Sequence, residues 1–237
     1  MATTVTLNTP DGDMGLYDAE PKGEARAAVI VAQEAFGVNP HIEDVTRRLA
    51  SAGYRAVAPH LFHRTGDPVI EYGDFDKIMP QFAGLSEAGV LNDIDASIAY
   101  LEAAGFTLAR IAVVGFCMGG TVAFLGSVRR PLGAGATFYG GGVTEGRFGM
   151  APMVELAPEL QTPWLGLYGD EDQGIPPEQV EALRSALVAA KVPTEIVRYP
   201  GAGHGFHCDM RPDYHPEAAA DAWKRMLSWF EKYLEAS

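Results

Sequence analysis

Six strand-length runs punctuate the chain: residues 27–31 (AAVIV), 54–58 (YRAVA), 111–114 (IAVV), 134–139 (AGATFY), 164–168 (WLGLY) and 194–199 (TEIVRY). Most are continuously apolar rather than alternating. A strand that is apolar on both faces must be covered on both faces, which is the situation of strands in a parallel sheet between helices. Helix-period segments lie between the runs. Ile42, Val45 and Leu49 recur at i, i+3 and i+7, and Val90, Leu91, Ile94, Ile98 and Leu101 make a second stripe. Trp223, Met226, Leu227, Phe230 and Leu234 form a third, predicting a C-terminal helix. This alternation implies an α/β fold with a doubly wound, mostly parallel sheet, whose ligands gather at the carboxyl ends of the strands. Chemistry is therefore sought just after each strand.

The 237 residues, without repeats or a low-complexity linker, suit one domain spanning residues 1–237. A net charge of −13 argues against nucleic acid or an anionic membrane surface as a partner. Residues 111–128 carry no charge, but their four glycines and β-branched start fit a buried strand turning into a buried helix better than a membrane span. The first twenty residues hold Asp11, Asp13, Asp18 and Glu20 and no apolar leader, so a cytoplasmic location is expected. Two cysteines, Cys117 and Cys208, are too few for a disulfide scaffold and invite a reading by chemistry.

After the run at 111–114 comes Gly115-Phe116-Cys117-Met118-Gly119-Gly120, a G-x-C-x-G elbow with cysteine where serine usually stands. Glycines on either side let neighbouring backbone approach the tight strand-to-helix turn, and the start of a helix favours thiolate. A structural cysteine in a glycine-rich turn would satisfy that motif alone. The company it keeps argues for catalysis: Gly169-Asp170-Glu171-Asp172-Gln173-Gly174-Ile175-Pro176 follows WLGLY, and Gly203-His204-Gly205-Phe206 lies just beyond TEIVRY. Nucleophile, acid and histidine thus follow the chain order of an α/β-hydrolase triad. The G-x-x-D-x-x-[VI]-P spacing selects Asp172 over Asp170 as the acid. The loop after AAVIV, Gln33-Glu34-Ala35-Phe36-Gly37, is where this architecture supplies one oxyanion-hole amide, so the amides of Ala35 and Met118 are the candidates. Glu34 would repel an oxyanion there unless it has its own task.

The segments AQEAFGVN, GFCMGG, GDEDQGIP and GAGHGF together resemble the dienelactone hydrolase family of cysteine-dependent α/β-hydrolases, from about residue 26 to the end. The resemblance implies Cys117 as nucleophile, His204 and Asp172 as its partners, and Glu34 as the carboxylate that holds the resting thiol. It implies an activated ester or lactone substrate such as dienelactone, an acyl-cysteine intermediate and no cofactor. One departure concerns substrate grip. The family's G-H-S-F-A-R carries an arginine for the substrate carboxylate, whereas this chain reads Gly203-His204-Gly205-Phe206-His207-Cys208. Arg211 could substitute, with Arg64 or Lys77 as a second cation.

The departure keeps a second hydrolase reading open, a broad carboxylesterase or lactonase, and a redox protein using Cys117 with Cys208 is a third. Phe36, Phe116 and Tyr139 are candidates to line an apolar pocket, or simply core. His204, His207, Cys208 and His215 include zinc-type ligands, but no partner pair has standard spacing and no metal is expected. His41, His60 and His63 could face the site. The partner expected is a small ester or lactone, on a monomer or homodimer.

Overall fold

The computed structural model describes residues 1–234, so the last three residues of the expected domain lie outside the described residues. All six apolar runs form strands: β3 (Ala28–Ala32), β4 (Arg55–Pro59), β5 (Ile111–Phe116), β6 (Ala134–Phe138), β7 (Trp164–Gly169) and β8 (Thr194–Tyr199). An N-terminal hairpin, β1 (Ala2–Thr9) and β2 (Gly12–Ala19), completes one eight-stranded sheet in the order β1-β2-β4-β3-β5-β6-β7-β8. Strands β4, β3, β5, β6, β7 and β8 pair in parallel, and β2 joins β4 antiparallel. Every residue of β5 is buried, as expected for a central strand covered on both faces.

The hairpin was not among the expected strands. Its first strand is mostly exposed, so the sequence shows no continuous apolar run there. The signal it does carry is the Thr9-Pro10-Asp11-Gly12 turn, with Gly12 at φ 119°, between segments of alternating polarity. The run at 134–139 ends one residue early, because Tyr139 leaves extended geometry at φ 39°.

Helices α1 (Pro40–Ser51), α2 (Ile78–Phe82), α3 (Glu87–Ala103), α4 (Met118–Arg129), α5 (Met153–Leu156), α6 (Pro177–Leu187) and α7 (Pro216–Tyr233) flank the sheet. Helix α1 starts where Asn39 accepts a hydrogen bond from the Ile42 amide at 3.1 Å and Pro40 takes the first helical position. Its stripe Ile42, Val45 and Leu49 is fully buried. Helix α7 buries Met226 and Phe230 of the expected stripe together with Trp229, and neighbours α1 through the Arg48 guanidinium over the Trp223 ring. The uncharged stretch 111–128 is β5 running into α4, buried from Met118 to Val128. Among the described residues no helix is long and apolar enough to cross a membrane.

Candidate active site

Cys117 sits between β5 and α4 at φ 55° and ψ −116°, a conformation that a non-glycine residue holds only when its surroundings enforce it. The enforcement is visible. The Cys117 amide donates to Phe138 O at 3.0 Å, and the Gly120 amide donates to Cys117 O at 3.0 Å. A Cβ on Gly115 would lie 1.8 Å from Gly119 O, and one on Gly119 would lie 2.2 Å from Ala32 O. The glycines of the motif are thus required by close backbone approach, and the cysteine is left half-buried at the sheet's carboxyl edge.

The turns after β7 and β8 bring two further groups to it. His204 Nε2 lies 3.0 Å from Cys117 Sγ, and His204 Nδ1 lies 2.7 Å from Asp172 Oδ2. Asp172 is buried, and its other oxygen accepts from the amides of Gly174 (2.8 Å) and Ile175 (3.1 Å). The carboxylate is therefore fixed before it orients the imidazole. Asp170 points elsewhere, pairing with Arg198 at 2.6 Å. Burial disfavours a charged His204, but its interactions with the Cys117 sulfur and the Asp172 carboxylate outweigh it and push the imidazole up to about 10.

Beside this line lies a second cluster, centred on Glu34, which has no exposed surface. Tyr72 donates its hydroxyl to Glu34 Oε2 at 3.2 Å, and Tyr139 donates to Oε1 at 3.4 Å. Arg211 holds its guanidinium 3.7 Å from Oε1. The sulfur's partner is His204, so the Glu34-to-thiol contact implied by the family resemblance is not formed in this arrangement. Tyr72 also accepts from Asn39 Nδ2 at 3.0 Å and shares a hydrogen bond with Cys208 Sγ at 3.2 Å. Burial, then the Glu34 charge, raises the Tyr72 phenol well above its ordinary range, so it stays a neutral hydroxyl. Tyr72 carried no sequence signal, since it belongs to a segment between β4 and α3 without apolar periodicity.

Arg211 lies between rings, its guanidinium carbon 5.8 Å from the centroids of both Phe36 and Tyr72. A Cβ on Gly205 at its normal position would meet that guanidinium at 2.6 Å. Glycine where the family pattern has serine therefore makes room for the arginine three residues beyond Cys208. Arg64 and Lys77 do not reach the site. Arg64 is engaged by Asp11 and Asp93, and Lys77 by its neighbour Asp74. Phe116 is wholly enclosed in a ring stack with Phe138 at 4.6 Å and His207 at 5.3 Å, which makes it core packing rather than a pocket wall. Tyr139 is buried as well, its ring 5.2 Å from that of His204, whereas Phe36 packs edge-on to Tyr72 at 4.6 Å.

The amide of Ala35, in the turn after β3, donates to no backbone carbonyl among the described residues, and Met118 opens α4, where the first amides lack intrahelical acceptors. Of the loop histidines, His60 pairs with Asp67 and His63 with Asp93, whereas His41 lies beside Glu34 and Cys208. The set His204, His207, Cys208 and His215 disperses: His215 caps α7 and His207 stacks on Trp223 at 5.6 Å.

Residues 14–234 match the dienelactone hydrolase family. A Salmonella typhimurium protein assigned the name carboxymethylenebutenolidase is 41% identical, covering 96% of this chain and 91% of its own length. The crystal structure of a Klebsiella pneumoniae protein assigned as a dienelactone hydrolase superposes with a TM-score of 0.91 at 40% identity, covering 98% and 99% of the two chains. A dienelactone hydrolase-like promiscuous phosphotriesterase from metagenomic libraries superposes with a TM-score of 0.79 at 25% identity, over 99% of both chains.

Proposed function

Because the chain belongs to the dienelactone hydrolase family, and is an ester or lactone hydrolase of that family, we propose that it opens an activated ester or lactone through an acyl-cysteine formed on Cys117. The Cys117 sulfur attacks the carbonyl carbon, and the carbonyl oxygen takes up the negative charge against the amides of Ala35 and Met118. As the carbon–oxygen bond breaks, His204 gives its Nε2 proton to the leaving oxygen. Water then attacks the thioester, His204 accepts the water's proton, and the carboxylic acid departs with Cys117 free. Asp172 holds the imidazole in register throughout. Thiolate leaves more readily than an amine, so the scheme favours enol esters, lactones and aryl esters over amides.

The observation carrying this reading is the continuous line from Asp172 through His204 to the Cys117 sulfur. Rapid quenching during turnover of an aryl ester, followed by intact-mass measurement, should find the acyl group on wild-type protein and not on Cys117→Ala. Turnover that survives Cys117→Ala within about tenfold would discard the mechanism, because losing a nucleophile lowers rates far more.

For the substrate, Arg211 supports a carboxylate-bearing ester or lactone. Its side chain is 13% exposed, its guanidinium lies between two rings, and its two carboxylate neighbours, Asp213 at 3.6 Å and Glu34 at 3.7 Å, are both beyond hydrogen-bond distance. A broader carboxylesterase or lactonase is the second reading, favoured by Cys208 at the place of the family's arginine. Rates on dienelactone and on a neutral aryl ester of similar size separate the two.

A further inference from the structure

Three side chains the hydrolytic scheme does not jointly use converge beside it. Glu34 from the loop after β3, His41 from the first turn of α1 and Cys208 from the loop after β8 each offer a ligand atom, and all three atoms lie within 4.8 Å of one another. All three residues are buried, Glu34 and Cys208 with no exposed surface and His41 with 2%. Two observations set the cluster apart from ordinary packing. His41 Nε2 is buried and has no hydrogen-bond partner among the described residues. A buried ring nitrogen left without a partner weakens a fold, and a ligand at that nitrogen would satisfy it. The thiol of Cys208, meanwhile, has the Tyr72 hydroxyl for a neighbour and no disulfide.

From this convergence we infer that Glu34, His41 and Cys208 form a binding site for a thiophilic divalent cation of the zinc class, distinct from the Cys117 centre. A sulfur, an imidazole nitrogen and a carboxylate oxygen are the ligand types zinc prefers, and three protein ligands leave one tetrahedral position for the adjacent Tyr72 oxygen or for water. Charge closes as well. The cation's two positive charges meet one thiolate and one carboxylate, and the Cys208 proton passes to solvent as the metal–sulfur bond forms. Burial disfavours a charged His41, which leaves the neutral imidazole that a metal needs. Burial likewise pushes the Cys208 thiol up to about 11, so the proton stays on sulfur until a metal displaces it. The ligands come from two loops and the first turn of α1, which is why no run of sequence announced them.

The test uses metal-stripped full-length protein without substrate, so its outcome is independent of the hydrolytic reading. Zinc is titrated in competition with a chromophoric chelator, and cadmium is followed by its ultraviolet sulfur-to-metal absorption. Cys117→Ser should bind one equivalent and keep the absorption, because Cys208 is then the only thiol. Cys208→Ser should lose the absorption and bind zinc at least 100-fold more weakly, and His41→Gln at least tenfold more weakly. Thermal unfolding checks that each variant is folded, and if Cys208→Ser is not, the other two variants decide. Absence of stoichiometric binding overturns the inference, as does binding lost in Cys117→Ser or untouched in both His41→Gln and Cys208→Ser.

Discussion

Two neighbouring regions of the site are built on different plans. Cys117, Asp172 and His204 each follow a parallel strand of the sheet and are held by short turns whose backbone amides and carbonyls are already committed. Glu34, Tyr72 and the Cys208–Arg211 turn come from three separate segments of the chain and meet through their side chains. The first region is fixed by the sheet, so its geometry is pre-organised. The second is a buried network of hydroxyl, thiol, carboxylate and guanidinium groups that hold one another in place.

Substitutions can break that division, beginning with the largest effect. Cys117→Ala should lower kcat/KM on an aryl ester by about 10⁴-fold or more, with little change in thermal midpoint. Asp172→Asn should keep the fold and lower kcat by about 10³-fold, by presenting the wrong hydrogen-bonding atom to His204. In the second region, Arg211→Gln should raise KM for a carboxylate-bearing lactone by about 10- to 100-fold, the worth of a charge-assisted hydrogen bond. Neutral esters should change less than about threefold in the same variant. Equal loss on both substrates would mean that Arg211 supports structure rather than recognition. Gly205→Ser belongs to the same comparison, because its side chain displaces the Arg211 guanidinium and should shift the same KM.

Titration sharpens the difference between the regions. With His204 held up to about 10, its proton remains available across neutral pH. The profile of kcat/KM should stay level from pH 7 to 9 and fall above it as the imidazolium is lost. Stability follows the same sign. The folded-state value is above the ordinary 6.5, so the interaction stabilises fully below pH 6.5 and its contribution disappears as pH rises through about 10. Thermal midpoints of wild type should therefore approach those of His204→Gln over that window. The smallest effect belongs to Tyr72→Phe, which removes one hydroxyl from the second cluster and should lower kcat/KM by about fivefold.

The unequal legibility of the two regions has the same origin as their unequal rigidity. A G-x-C-x-G turn must follow a strand and precede a helix, so residues 111–120 announced both their backbone and the position of Cys117 at the turn. Asp172 and His204 were found because each lies in a short turn whose strand was already recognisable. Tyr72 lay in a stretch with neither period nor motif, and His41 read as one loop histidine among three. Phe116 is the instructive misreading. It adjoins Cys117 in sequence, yet its ring is fully buried against Phe138 and His207, because it closes a strand covered on both faces.

By itself the sequence determined the sheet's parallel centre, the helices that cover it, and the order in which Cys117, Asp172 and His204 arrive at one edge. Apolar runs and glycine turns are local instructions, and hydrophobic burial executes them with few alternatives. Tertiary structure alone decided that Tyr72 joins Glu34, that Arg211 fills the space opened by Gly205, and that His41, Glu34 and Cys208 share one buried corner. Those outcomes depend on loop paths and side-chain directions over distances that no periodicity encodes, and only the packed chain supplies them.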